Sequence, residues 1–207
     1  MNIALLGGSF NPITKAHINI AKHVLESSYN IDEVWLLPNY NSCYNKKLVS
    51  GLNRINMCKL AIENEPKYNI KICDFEIKHK IIGTTATVLK LFYKEYKNDN
   101  FFFIIGMDNA NKIEQWVDYE ITLKLIPFIV LNRIEYKIPI NKWFLNKPHI
   151  FLNQTYNDLN YISSTNVRDI IKNTPLIELS INNNLKNYLY DNIIEYIIKY
   201  NLYRNKF

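Results

Sequence analysis

Apolar positions along this chain switch repeatedly between two periods. Residues 2–6 are apolar on both faces and stop at Gly7-Gly8, which predicts a buried strand ending in a tight turn. From Thr14 to about Leu25, the residues Ile18, Ala21, Val24 and Leu25 recur at helical spacing, and 34–37 before Pro38 predicts the next strand. A loop rich in Asn and Tyr follows, and Ser50 can cap a helix carrying Ile55, Met57, Leu60 and Ala61. Residues 69–77 alternate and predict a strand. A helix opens at Thr84 or Thr85 and runs through Lys97, and 101–105 is a second fully apolar strand, ending at Gly106, where another strand-to-helix turn is expected. Short helices are predicted over 109–116 and 119–125, a strand over 128–131 and a weaker one over 149–152. The stretch 134–148 has no clear period and two prolines, and reads as an irregular excursion. Ser163 and Ser164 precede a short helix through Ile171, and 185–200 predicts a last amphipathic helix.

Strands alternating with helices predict an α/β fold: a Rossmann-like, doubly wound, mostly parallel sheet with helices on both faces and a short helical C-terminal part. A length of 207 residues suits one domain over the whole chain, with the helical segment from about 163 packed on it. Composition changes the picture in one respect. Asn, Ile, Lys and Tyr occur 30, 31, 21 and 15 times, whereas arginine occurs four times. Those four common residues share AT-rich codons, so the bias reads as genome drift, and each remaining Gly, His, Arg or Trp becomes more informative. The formal charge of +6 is compatible with anionic partners but follows equally from lysine enrichment, and no dense basic run accompanies it. Cys43, Cys58 and Cys73 include no CxxC pair, so neither a disulfide framework nor a zinc site is indicated. No apolar stretch approaches the roughly 18 to 20 residues that span a bilayer, and Met1 leads straight into a strand pattern. A cytoplasmic protein is expected, with neither a membrane nor a nucleic-acid polymer as partner.

In a doubly wound sheet, ligands bind outside the carboxyl ends of the strands, which puts residues 7–17 and 106–116 at the expected crevice. Gly7 and Gly8 let backbone approach a ligand, and the helix starting near Thr14 offers unpaired N–H groups to an anion. The pattern is neither the GxGxxG fingerprint nor a P-loop, because no GK[ST] follows. His17 falls about one turn inside that helix, where its imidazole can point toward the same anion; taken alone it reads as readily as a structural histidine. The second cluster is ISSTNVR, residues 162–168. Hydroxyls at a helix start with Arg168 a turn later form a second anion cradle, or else an N-cap followed by a solvated arginine.

GGSFNPITKAH (7–17) resembles the GGTFDPxHxGH signature of nucleotidyltransferases with a class I aminoacyl-synthetase-like fold, and ISSTNVR resembles their ISSTxIR signature. Within that superfamily the chain is similar to the bacterial-type nicotinate-nucleotide adenylyltransferases over nearly its whole length. TTATVL (84–89) is similar to their TxxTL-type segment, GMDNANKIEQW (106–116) matches their GxD-to-Trp spacing, and the closing NLY resembles their terminus. The resemblance implies transfer of the adenylyl group from ATP to nicotinate mononucleotide, with Mg²⁺ accompanying ATP. It implies that His17 contacts the α- or β-phosphate, that Gly7, Gly8, Ser9 and Phe10 line the phosphate path, and that Ser163, Ser164, Thr165 and Arg168 hold the β,γ-phosphates. Gly106 and Asp108 fall on the ATP side, with Asp108 binding ribose hydroxyls or organising the site. Trp116 would stack on the nicotinate ring, with backbone donors near Thr85 and Val117 receiving its carboxylate. Asn11, Lys46 or Lys47, and Arg133 fall on the mononucleotide side. Asp108 and Trp116 also read, without that spacing, as a helix N-cap and a partly buried core aromatic.

Three positions depart from the signature. Thr14 stands where the family has its first histidine and keeps only a hydroxyl for the catalytic contact, so one phosphate contact is expected to be weakened or to be taken over by Lys15 or another lysine. Ala16 replaces a glycine and Asn11 an aspartate, while Arg133 lacks the glycine usual after it. The competing readings are a pantetheine-phosphate adenylyltransferase or related cytidylyltransferase, which shares both phosphate motifs, and an ATP-binding regulatory module whose catalysis has decayed. A homo-oligomer is left open.

Overall fold

The computed structural model describes residues 1–41, 47–132, 142–153 and 163–204. Six strands, β1 (Asn2–Gly8), β2 (Glu33–Pro38), β3 (Ile70–Ile72), β4 (Asn100–Gly106), β5 (Phe128–Leu131) and β6 (Ile150–Leu152), form one sheet in the order β3-β2-β1-β4-β5-β6. Every pairing is parallel, including β1 with β2 (Leu5 opposite Trp35) and β1 with β4 (Leu5 opposite Phe103). Parallel strands need crossovers and coverage on both faces, which explains their unbroken apolar character. The strand order reverses direction between β1 and β4, so the carboxyl ends of these neighbours open the ligand crevice of a doubly wound sheet.

Helices cover both faces. On one, α1 (Lys15–Glu26) and α2 (Gly51–Glu63) bury Ile18, Ala21, Val24, Met57, Cys58 and Ala61 against Ala4, Val34, Leu36, Ile104 and Ile129. The C-terminal helices α7 (Ser164–Asn173), α8 (Asn183–Tyr188) and α9 (Asp191–Lys199) extend the same core through Val167, Ile171, Leu185, Leu189, Ile193 and Ile197. The other face carries α3 (Phe75–Lys78), α4 (Thr85–Glu95), α5 (Met107–Ala110) and α6 (Tyr119–Leu125), packed through Phe75, Leu89, Phe92, Met107 and Ala110 on Leu5, Phe101, Ile105 and Phe128. Thr84, Ser50 and Ser163 each accept a main-chain N–H from the residue three further on, at 3.2, 3.2 and 3.1 Å, which fixes three helix starts.

Two expected elements differ. The strand foreseen over 69–77 ends at Ile72, and the chain turns at Asp74 into α3, whose Phe75 is buried under Phe92 and Tyr96. An alternating pattern was there, but the aromatic cluster takes Phe75 from a helix. The helix foreseen over 185–200 is two helices broken at Leu189 and Tyr190. Both residues are extended, which lets Leu189 insert fully into the core while the Tyr190 hydroxyl donates to Glu65 at 3.1 Å. The 109–116 segment is likewise split, into α5 and a single 3-10 turn at Ile113–Gln115. The irregular excursion is described only from 142, where Trp143–Leu145 form another 3-10 turn. Cys58 and Cys73 are buried free thiols, Cys58 held firmly protonated by burial, and Cys43 lies outside the described residues. Among the described residues no helix is long and apolar enough to cross a membrane.

Candidate active site

At the end of β1 the chain leaves the sheet through Gly7, Gly8, Ser9 and Phe10. A Cβ on Gly7 would come within 2.8 Å of Phe103 Cζ on the neighbouring strand, so any larger residue there would require that ring to shift. Phe10 takes a left-handed conformation (φ 44°) and is buried, its ring edge-on to His17 with centroids 5.2 Å apart. This reverses the chain into α1.

Thr14 is the N-cap of α1 and His17 its third helical residue. His17 Nδ1 accepts the Thr14 main-chain N–H at 3.1 Å, and the Thr14 hydroxyl lies 2.8 Å from the same nitrogen. Histidine here takes the part that Glu or Gln plays in a capping box. Since Nδ1 must accept, the neutral ring carries its proton on Nε2, at the opposite edge. Thr14 is fully buried with its hydroxyl engaged by His17, so it orients the imidazole instead of facing solvent. Lys15, foreseen as a substitute phosphate ligand, points elsewhere: its Nζ donates to Lys186 O at 2.7 Å and sits 5.4 Å from the Tyr190 ring centre. The geometry ties Lys15 to the C-terminal helices.

The second motif closes on the first. Ser164 Oγ donates to Pro12 O at 2.9 Å, and one Arg168 terminal nitrogen donates to Asn11 O at 2.9 Å while the other reaches Thr165 Oγ1 at 3.1 Å. Residues more than 150 positions apart therefore share one wall, with the N-terminal N–H groups of α7 beside the start of α1. Ser163 spends its hydroxyl on the α7 cap. Gly106 ends β4 next to β1, and Asp108 stands in the first turn of α5, at the other side of the switch point.

Trp116 follows the 3-10 turn at Ile113–Gln115 and is half-buried against the β4-side core, while Val117 is 67% exposed. Asp118 is left-handed (φ 60°), and the Thr84 hydroxyl reaches its carboxylate at 3.5 Å. That contact brings the start of α4, with Thr85, beside Trp116 and Val117, three of the residues expected around the nicotinate ring.

Asn11 is buried and its side-chain amide is used at both ends: Oδ1 accepts Val49 N–H at 3.2 Å and Nδ2 donates to Lys47 O at 3.4 Å. Its side chain thus holds the Lys47 segment, an arrangement an aspartate could make only by half. Lys47 itself is exposed. Lys46 and Arg133, and Ile162 of the second motif, lie outside the described residues.

Sequence reasoning missed Arg54 and Glu76. Arg54 is 1% exposed beneath the crevice, donating to Val49 O (3.2 Å), Ser9 O (2.8 Å), Asn39 Oδ1 (3.5 Å) and Tyr40 O (3.5 Å). Glu76, on α3, accepts the Tyr40 N–H at 3.3 Å, and burial pushes its carboxyl up to about 7. A signal for Arg54 existed: positions 54, 57, 58 and 61 form one buried helical stripe, and arginine is scarce in this chain.

The crevice offers main-chain N–H groups, hydroxyls, an imidazole and a guanidinium, a set of donors suited to phosphates. Among the described residues no group of three or more His, Cys, Asp or Glu could hold a metal ion. Such a donor set fits a divalent ion only as one carried on a triphosphate.

Comparison with known proteins follows the same lines. The sequence profile of the Cytidylyltransferase-like family matches residues 5–170. A "Probable nicotinate-nucleotide adenylyltransferase" of Clostridium botulinum (strain Okra / Type B1) is 33% identical over 214 residues, covering 99% of this chain and 100% of that one. One of the same name from Borrelia garinii subsp. bavariensis is 35% identical over 206 residues, covering 98% of each. Among solved structures, Plasmodium falciparum nicotinic acid mononucleotide adenylyltransferase complexed with NaAD superposes with a TM-score of 0.82 at 30% identity, over 98% of this chain and 97% of that one. Its complex with APC gives 0.79 at 30% identity, over 98% and 96%.

Proposed function

This chain belongs to the Cytidylyltransferase-like family and, within it, to the nicotinate-nucleotide adenylyltransferases, and from that premise we propose how its own residues divide the reaction. The enzyme transfers the adenylyl group of ATP to nicotinate mononucleotide, giving nicotinate adenine dinucleotide and pyrophosphate, in NAD biosynthesis. A phosphate oxygen of the mononucleotide attacks the α-phosphorus, and the bond from that phosphorus to the bridging oxygen breaks as pyrophosphate leaves. The attacking phosphate is already ionised at neutral pH, so no general base is required; the protein must align the two anions and neutralise charge that spreads in the transition state.

The observation that carries this reading is the junction of the two motifs, Arg168 on Asn11 O and Ser164 on Pro12 O, beside the Thr14–His17 cap. His17 Nε2–H donates to an α- or β-phosphate oxygen, with Thr14 holding the ring. The 7–10 main chain lines the triphosphate, and the α7 N-terminus with Arg168 receives its β,γ-phosphates. Asp108 meets the ribose of ATP. Trp116 stacks on the nicotinate ring, and main-chain donors at Thr85 and Val117 take the carboxylate, which favours the acid over the amide. Lys46 or Lys47 meets the mononucleotide phosphate, with Arg133 on the mononucleotide side. A Mg²⁺ ion accompanying ATP would be held by the triphosphate and water, not by a carboxylate cage, and would supply charge neutralisation to the leaving pyrophosphate. Residues 1–207 act as one nucleotidyltransferase domain, working in the cytoplasm.

Purified protein with ATP, Mg²⁺ and either nicotinate or nicotinamide mononucleotide, assayed for pyrophosphate, tests the reading. Turnover preferring nicotinate mononucleotide is expected, and none with either mononucleotide would sink it. Trp116→Ala should raise KM for nicotinate mononucleotide while leaving that for ATP in place; unchanged mononucleotide affinity removes the stacking assignment.

A further inference from the structure

A buried cation lies under the crevice that no step of this chemistry uses. The Arg54 side chain rises from α2 between two loops, the phosphate loop after β1 and the loop after β2. Its guanidinium makes four hydrogen bonds, all to neutral oxygens: Val49 O, Ser9 O, Asn39 Oδ1 and Tyr40 O. The Tyr40 peptide is gripped from both sides, its carbonyl by Arg54 and its N–H by Glu76. The two strand ends are also joined directly by Asn39 N–H to Gly8 O at 3.0 Å. Asn11, buried between them, holds Lys47 O and Val49 N–H. Both ends of the segment leading to Lys47 are therefore anchored to the phosphate loop by buried polar side chains.

Core stability does not call for this arrangement. Burying a guanidinium is costly, and an apolar side chain of similar volume at such a site is commonly as stabilising or more so. What a planar fork with five donors provides is geometry: carbonyls from separate segments are set at fixed positions relative to one another. An ammonium, a single point charge on a flexible stem, cannot span Ser9 O, Tyr40 O and Val49 O together.

We infer that Arg54 is a positioning residue for adenylyl transfer, fixing the main chain of the phosphate loop at Ser9 and of the mononucleotide loop at Tyr40 so that the two phosphates meet in line. The inference rests on the assignment of those loops to ATP and to nicotinate mononucleotide. Misplacing reactants by about 1 Å can cost about 100-fold in rate, and that is the size of loss expected when the fork is removed.

The test measures binding of ATP and of nicotinate mononucleotide by calorimetry, together with steady-state kinetics, in the unsubstituted chain and in Arg54→Lys. The lysine variant should lose about 100-fold in kcat/KM, with both affinities weakened together and near-ultraviolet circular dichroism retained. Affinities and kcat/KM within threefold of the unsubstituted chain overturn the inference. So does a fall in kcat that merely tracks the folded fraction while both KM values stay put, the signature of a purely structural role. Failure of the underlying assignment is seen separately, in the unsubstituted chain, as ATP binding without binding or turnover of the mononucleotide. Should Arg54→Lys not fold, Glu76→Leu and Glu76→Gln decide. The leucine variant releases the Tyr40 N–H and should weaken the mononucleotide about tenfold, about 1.4 kcal/mol by the tenfold rule, with ATP within threefold. Glutamine, which keeps an acceptor there, should leave both affinities within threefold. Equal losses in the two variants, or none in either, overturn the inference.

Discussion

Substituting His17 separates two jobs that one imidazole performs. Its Nδ1 accepts the Thr14 N–H at 3.1 Å and so closes the N-terminus of α1, while its Nε2–H is the donor assigned to the transferring phosphate. In His17→Ala both are lost. In His17→Asn the side-chain oxygen can reach back to the Thr14 N–H, but the amide is too short to reach the former Nε2 position. A hydrogen bond of the capping kind contributes about 1 kcal/mol, which for a domain of this size lowers Tm by about 2–4 °C. A preorganised donor aimed at developing charge is worth about 2.7–4 kcal/mol of barrier, or about 100- to 1000-fold in rate. Thermal melts should therefore show His17→Ala lowered by that interval and His17→Asn close to the unsubstituted chain. Pyrophosphate release should be slowed about 100- to 1000-fold in both. If His17→Asn retains kcat within tenfold, the cap and not the Nε2 donor is what catalysis needs, and the phosphate contact is misassigned.

Two further substitutions test the buried polar layer. Asn11→Asp leaves Lys47 O without its donor and sets a carboxylate against a carbonyl, which should cost about 1–3 kcal/mol in urea unfolding at neutral pH. The loss should shrink on acidification, because the protonated acid can donate to Lys47 O; a pH-independent loss would argue against that pairing. Glu76 has its carboxyl raised by burial from 4.5 to about 7. The folded state then holds a proton that the unfolded chain releases between those values, so this contribution to stability is complete below pH 4.5 and is lost as pH rises through 7. At about 1.4 kcal/mol per pKa unit the loss approaches about 3 kcal/mol. Glu76→Gln should gain stability relative to the unsubstituted chain by about that amount between pH 4.5 and 8, and parallel pH profiles for the two proteins would contradict it.

The strands were the most legible part of the chain because parallel strands, covered on both faces, carry unbroken apolar runs; 2–6, 101–105 and 128–131 could hardly be anything else. Periodicity failed where a short element is decided by what it packs on. Residues 69–77 alternate, yet Phe75 belongs to a helix because an aromatic cluster receives it from that side. Leu189 falls inside the helix expected over 185–200, but it enters the core from an extended break and not from a helix. At the site, the motifs carried the Thr14–His17 cap and the junction of Arg168 with Asn11. They did not carry Arg54 or Glu76, which act mostly on main-chain atoms: a carbonyl acceptor has no residue identity, so the buried helical stripe that holds Arg54 shows its burial and not its partners. Lys15 misled for the opposite reason. Its place in the motif is real, but the partner that fixes its direction, Lys186 O, lies 171 residues away.

In the structure the departures from the signature have partners of their own. Decay would leave side chains with their former partners absent, loosened or exposed. Thr14 is instead fully buried with its hydroxyl 2.8 Å from the His17 ring, so the position without an imidazole orients the histidine that remains. Asn11 uses both ends of its amide on the Lys47 segment and its main-chain carbonyl on Arg168, three contacts that draw the loop after β1, the loop after β2 and the start of α7 to one residue. Ala16 occupies the second helical position of α1, where alanine favours the helix more than glycine does. Each replacement removes a charge or a degree of freedom from the signature and supplies order in its place. A site tuned in that direction should depend less on any single cationic side chain than on the relative placement of its loops, and Arg54 is the residue on which that placement converges.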